Sequence, residues 1–177
     1  MLGLFTQAYP DPALAASIRS PEHLELARQA VRESLVLLTN TGNLLPLPPD
    51  TPTILVAGQG ADDIGMQCGG WTMEWQGRIG NLTTGTTILQ GIEAAVTADS
   101  QVRYNRFGNF DESAEVGIVV VGEHPYAEGL GDASDLRLSD IDINTILRMR
   151  AHVDKLVVII LSGRPLVITE QLPLADA

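Results

Sequence analysis

Cysteine is almost missing from this 177-residue chain, where Cys68 stands alone. A single thiol excludes an internal disulfide and any Cys-based zinc cluster, and it leaves the compartment open. Positive charge is scarce as well: 11 Lys and Arg against 22 Asp and Glu give a formal net charge of −11. A nucleic-acid partner requires clustered Lys and Arg to neutralise phosphates, and an anionic membrane surface attracts the same cations. Neither partner is expected; an acidic balance of this kind reads as a solvated surface. No apolar run approaches the roughly 20 residues of a bilayer span. Residues 156–161 are apolar but far too few, and read as a buried strand. The first five residues lack both the basic and the extended apolar regions of a signal peptide. Aromatic side chains are only 5% of the chain, and just two are tryptophan.

That scarcity makes the placement of the two tryptophans informative. Both fall in Cys68-Gly69-Gly70-Trp71-Thr72-Met73-Glu74-Trp75-Gln76-Gly77. Glycines and polar residues are a poor setting for a core strand or helix. Flat indole faces on a Gly-rich loop suit stacking on a sugar or base ring. Gln67, Glu74, Gln76 and Arg78 are near enough in sequence to bond hydroxyls. The alternative is structural: Trp71 and Trp75 plug a gap between this domain and a neighbour.

The length suits one domain of ordinary size with a real core. Residues 1–19 show no sustained period and read as an extended lead-in. Ser20-Pro21-Glu22 then looks like a helix start, with Ser as N-cap and Pro at the first helical position. Leu24, Ala27, Val31 and Leu35 follow at helical spacing and predict one buried face. Residues 35–38 are a strand candidate, and residues 41–49 are rich in turn formers. An alternating order follows: strand 53–57; helix 86–96, with Ile88, Ile92 and Ala95 on one face; strand 101–104; strand 116–121. Ser139-Asp140-Ile141-Asp142 resembles a capping box, opening a helix through Ile143, Ile146, Leu147 and Val153. Strand 156–161 closes the series. Continuous Val/Ile/Leu strands separated by helices imply an α/β fold, a mostly parallel sheet flanked by helices on both faces.

In such sheets ligands gather beyond the carboxyl ends of the strands. Two long polar loops stand there, residues 58–85 and 122–138. Gly58-Gln59-Gly60 invites a dinucleotide-binding reading. However, Asp63 occupies the position of the third glycine, and Asp62 and Asp63 would repel pyrophosphate. The glycines are read instead as allowing a tight backbone path. The second loop carries two candidate carboxylates. Glu123 directly follows a strand and can simply bond loop amides. Glu128 lies further out beside Gly129 and Gly131, on a loop free to present it. A carboxyl group partly shielded from water suits a general acid. His124, beside Pro125, reads as a structural hydrogen bonder, and Cys68, with no activating base, as a small packing residue. The residues by themselves lead to a carbohydrate-binding α/β domain with a candidate acid, and assign no second catalytic carboxylate.

Several segments carry a resemblance: residues 30–40, Leu45-Pro46-Leu47, Val56-Ala57-Gly58, Ala61-Asp62-Asp63, the Trp loop, Gly85-Thr86-Thr87-Ile88-Leu89, Gly122-Glu123-His124-Pro125-Tyr126 and Ser162-Gly163-Arg164-Pro165. In this order they resemble the C-terminal α/β sandwich domain of family 3 glycoside hydrolases, the β-glucosidases and exo-acting β-glucan glucohydrolases. The resemblance implies a six-stranded sheet between helices, and a first domain, a TIM-like barrel, carrying an Asp nucleophile. The acid/base falls on Glu128. Trp75 corresponds to the aromatic clamp at the leaving-group subsite, with Trp71 as its support.

It further implies that residues 1–19 are the linker after a barrel and residues 20–177 an incomplete sandwich, with the β-strand edge left by a missing late strand unpaired. The parent enzyme would release glucose from β-glucans or β-linked oligosaccharides with retention, without metal or organic cofactor. The chain by itself would be inactive. Secretion or periplasmic export would suit such an enzyme. The alternative is a non-catalytic carbohydrate-binding or interaction domain derived from one, and a flavodoxin-like nucleotide binder is more distant.

Overall fold

A computed structural model of the chain describes Gly3, Phe5, Thr6 and residues 9–177. The expected lead-in over residues 1–19 falls in part on Met1, Leu2, Leu4, Gln7 and Ala8, which lie outside the described residues. Its remainder is not extended throughout: Pro12–Ser17 forms a 3-10 helix, opened by Asp11, whose side chain accepts from the Ala13 amide. The chain divides into two units, residues 1–38 and 39–177.

In the first unit, helix α1 (Pro21–Ser34) begins where the cap pattern placed it. Ser20 accepts from the His23 amide and Pro21 occupies the first turn, where its missing N–H removes nothing. The expected buried face is not found. Leu24, Val31 and Leu35 are exposed, and α1 has no buried residue. An apolar stripe is buried only where a second layer lies on it. Among the described residues of this unit, the 3-10 helix is the only other regular element. Residues 35–38 are likewise exposed and form no strand.

The second unit is a four-stranded parallel sheet. Strand β1 (Thr53–Ala57) leads through a 3-10 turn and a short helix α2 (Ile64–Cys68) to helix α3 (Ile88–Ala95) and strand β2 (Gln101–Asn105). Strand β3 (Ala114–Gly122), helix α4 (Asp140–His152) and strand β4 (Val153–Leu161) complete it. The strand order is β2-β1-β3-β4, and every pairing is parallel. The resemblance implied six strands, whereas four are formed among the described residues. The last two residues run along the outer edge of β4: the Val158 amide donates to the Ala177 carbonyl, and the Ala177 and Asp176 amides donate to Leu156. The start of that edge is therefore paired, contrary to expectation.

Strand pleating sends alternate residues to opposite faces, and the core divides accordingly. Leu55, Ala57, Val119, Val121 and Leu156 pack with Ile146 and Met149 of α4. Ile54, Val56, Ile118, Val120 and Val157 pack with Leu89 of α3 and Ala61. Residues 116–121 of β3 are buried throughout, as a central strand covered on both faces requires. The helices differ from the pattern in detail. Leu89, not Ala95, is the buried residue of α3, and Leu147 of α4 is exposed. Val153 opens β4 rather than ending α4. Ser139 caps α4 by accepting from the Asp142 amide at 3.1 Å.

Because β1 lies between β2 and β3, the connections leave it in opposite directions. A crevice opens where they diverge, beyond the carboxyl ends of the strands. Both long loops start there. At the first exit Gly58 has φ 91°, and a Cβ at this position would strike the backbone of Val120 on β3. Only glycine permits that approach.

Candidate functional site

The first loop is not irregular throughout. Asp63, buried, accepts through one oxygen from the amides of Met66 at 2.9 Å and Gly80 at 2.7 Å. It thereby caps α2 and pins the return of the loop. Gln67 is occupied too, donating to Thr86 O and accepting from the Ile88 amide, so it holds α3 in place. Between these anchors the tryptophan turn protrudes. The Trp71 amide donates to Trp75 O at 2.9 Å, and Trp71 and Met73 both adopt φ of 63°. Left-handed backbone is uncommon outside glycine, and such strain gathers at functional sites. The rings are exposed, 68% for Trp71 and 54% for Trp75, with centroids 6.3 Å apart at 55°.

The second loop meets this turn. Trp75 Nε1 donates to Glu128 Oε2 at 2.8 Å, which brings two of the sequence candidates together on one exposed surface. The backbones are joined by Gln76, whose Oε1 accepts from the Ala127 amide at 2.8 Å. Gln76 Nε2 is buried with no partner among the described residues. Gly70 lies so close that a Cβ would strike the Tyr126 carbonyl. Glu74 pairs with Arg78 at 3.3 Å on the open surface.

Glu123 has a different fate from Glu128. Arg164 forks onto it, with Nε at 2.9 Å and Nη2 at 2.6 Å from Oε1. Ser162 Oγ donates to Oε2 at 2.5 Å and Tyr126 OH at 3.1 Å. Its partners are side chains, not the loop amides expected. Burial works to raise its pKa, but the bonds from Arg164, Ser162 and Tyr126 outweigh it and hold the carboxyl below its ordinary range. Tyr126 is pushed up, by burial first and by the Glu123 carboxylate next. Two concavities adjoin this cluster. One of about 340 Å³ lies between the exits of β3 and β4, lined by Gly70, Glu123, Tyr126 and Ser162 among others. The other, about 510 Å³, includes Gln59, Arg106, His124, Ser139 and Asp142. Burial raises the Asp142 pKa. Glu128 lines neither; it stands at the exposed rim with Trp75.

His124 approaches Gln59 Oε1 at 3.4 Å, which fits a structural bonder. Cys68 is exposed, not packed as expected; it sits at the end of α2, just before the glycines that swing the chain outward. Among the described residues no group of His, Cys, Asp and Glu side chains is arranged to hold a metal ion, and no helix is long and apolar enough to cross a membrane. Sequence reasoning assigned no role to Arg164 or Ser162, and saw Gln76 only as a candidate partner for hydroxyls. One signal for the first two was in view: β3 and β4 pair with Gly122 beside Leu161, so whatever follows β4 must neighbour Glu123.

Residues 35–177 match the model of the glycosyl hydrolase family 3 C-terminal domain. The chain belongs to this family. It is 34% identical to the lysosomal beta glucosidase of Dictyostelium discoideum over 97% of its own length and 24% of the relative's. To the periplasmic beta-glucosidase of Salmonella typhimurium it is 26% identical, over 99% of this chain and 28% of that one. Among solved structures, the exo-1,3/1,4-beta-glucanase from a Pseudoalteromonas species superposes with a TM-score of 0.79 at 36% identity, over 89% of this chain and 20% of that chain. The beta-glucosidase from Listeria innocua has the same fold, with TM-score 0.79 at 23% identity, over 99% of this chain and 25% of that one. The chain thus spans about a quarter of the length of the curated relatives it matches. The parallel α/β sandwich is that of the family 3 C-terminal domain.

Proposed function

We propose that this chain supplies the acid/base carboxylate and an aromatic clamp to a retaining β-glycosidase acting on β-glucans or β-linked oligosaccharides. The observation that carries the reading is the meeting of Trp75 and Glu128 at 2.8 Å on one exposed surface. A sugar ring lying on the indole face brings its glycosidic oxygen beside the carboxyl group. In this reading Glu128 protonates the leaving oxygen while an Asp of a barrel domain attacks the anomeric carbon. Glu128, then ionised, takes a proton from water and frees the sugar. Retention sets the two carboxyl groups about 5–5.5 Å apart. Trp75 clamps the leaving-group sugar, and Trp71, whose ring is tilted against it, supports the clamp.

Residues 1–19 serve as the link from the barrel and residues 20–177 as the sandwich. Residues 1–177 by themselves are inactive, because the nucleophile comes from elsewhere. The exposure of Glu128 and both indoles favours this reading, since a covering domain excludes the water that general acid catalysis must avoid. The test joins this chain to a complete barrel and closing segment and follows hydrolysis of an aryl β-glucoside. Glu128→Gln removes most turnover, while near-normal turnover moves the assignment to Glu123. A carbohydrate-binding module without catalysis is the second reading, favoured by the same exposed rings. It would bind β-glucan with Glu128→Gln as well as without it, and would not hydrolyse in any combination.

A further inference from the structure

We propose that Arg164 is a positioning residue for the Glu128 loop. One guanidinium, fixed at the exit of β4, ties down both ends of residues 123–131 and so sets where the Glu128 carboxylate stands beside Trp75. The proposal rests on Glu128 being the acid/base. Arg164 follows β4 just as Glu123 follows β3, and the parallel pairing of Gly122 with Leu161 brings the two exits together. At the near end of the loop Nε and Nη2 grip Glu123. At the far end Nη1 donates to the Gly131 carbonyl at 2.6 Å. Between them the guanidinium lies over the Tyr126 ring, 4.3 Å from its centroid, a cation–π contact.

Glu128 lies on the span between these attachments, and Gln76 holds its neighbour Ala127 from the opposite side. The loop has little freedom left except at its tip. A planar fork with five donors is what permits three simultaneous attachments; lysine carries the charge but not the geometry. The pair is well shielded, with Arg164 and Glu123 side chains 23% and 22% exposed. The carboxylate of Glu123 is kept ionised by its partners against the effect of burial, so the grip persists at mildly acidic pH.

The test uses the full 177-residue chain with Trp71→Phe, so that Trp75 is the only indole reporting. Glu128→Ala on this background defines the emission of Trp75 without its carboxylate partner. Arg164→Lys should move the emission at least halfway to that reference while far-UV circular dichroism stays native. A folded Arg164→Lys chain with unchanged emission overturns the proposal. Should Arg164→Lys fail to fold, Glu123→Gln takes its place: a shift in the same direction supports the proposal and unchanged emission overturns it. In the chain joined to a barrel, Arg164→Lys lowers kcat by about 10²-fold, the order expected for a small misplacement of a reacting group. KM stays within about twofold because Trp75 still offers its face. A loss confined to KM overturns the proposal. Full turnover in Glu128→Gln would instead remove the acid/base reading and leave the fluorescence result standing, so the two failures are distinguishable.

Discussion

Glu123 and Glu128 leave β3 on the same loop and meet opposite surroundings. Glu123 sits at the base, gripped by Arg164, Ser162 and Tyr126 and held ionised. Glu128 stands at the rim, exposed, with Trp75 Nε1 as its bonding partner. A carboxylate whose lone pairs are already filled by strong donors cannot easily take and return a proton. One that faces open space beside an aromatic platform can. The base of the loop thus provides rigidity and the rim provides chemistry, and the first is what makes the second accurate.

The comparison breaks most visibly in turnover. With the barrel attached, Glu128→Gln should lower kcat for natural glucans by about 10²- to 10⁴-fold, the usual worth of a positioned general acid, with no change in the melting temperature. Aryl glucosides with very acidic leaving groups should still form the intermediate. If Glu123→Gln gives the larger loss under the same assay and an unchanged fold, base and rim have been assigned the wrong way round. Next in size is stability. Glu123→Ala leaves Arg164 partly buried without its partner and should cost about 2 kcal/mol in urea unfolding, between the surface and buried limits for such pairs. Glu128→Ala should cost about 0.5 kcal/mol or less, as exposed positions do.

Smaller again is the binding effect of the platform. Trp75→Ala should raise KM by about tenfold, in keeping with about 1 kcal/mol for an aromatic stacking contact. A change below about twofold would return the tryptophans to a purely structural role. Acid stability sharpens the same contrast. The folded pKa of Glu123 lies below its ordinary 4.5, so its contribution is complete above that value and is lost as pH falls through the lower folded one. Glu123→Gln should flatten this part of the acid limb in urea midpoints measured from about pH 6 to about pH 3. Asp176, also lowered, by the Leu156 amide and then by Arg150 and Lys155, supplies the remaining slope. The smallest effect is expected on the surface: Glu74→Ala breaks an exposed pair with Arg78 and should change stability by about 0.5 kcal/mol or less.

Much of this was legible in the residues. Continuous apolar runs identified β1, β3 and β4, and the caps at Ser20 and Ser139 located two helix starts, because periodicity and capping are short-range effects. The Gly-rich turn announced exposed tryptophans for the same reason: its glycines and strained backbone are local properties. The expected burial of Leu24, Val31 and Leu35 failed because burial depends on a covering layer, which a helical stripe requests but cannot supply.

The division of labour between the carboxylates was beyond the sequence. Glu123 and Glu128 have equal chemistry, and which one is occupied depends on what stands across from each. That is decided by the register of β3 on β4, which sets Ser162 and Arg164 against Glu123, and by the Gln76–Ala127 bond, which joins the two loops so that Trp75 reaches Glu128. The sequence by itself determined the sheet, its caps and the two loops at its carboxyl edge. Tertiary structure alone decided which acid is tied and which is free, because hydrogen bonds between side chains far apart in the chain exist only once the strands have been aligned.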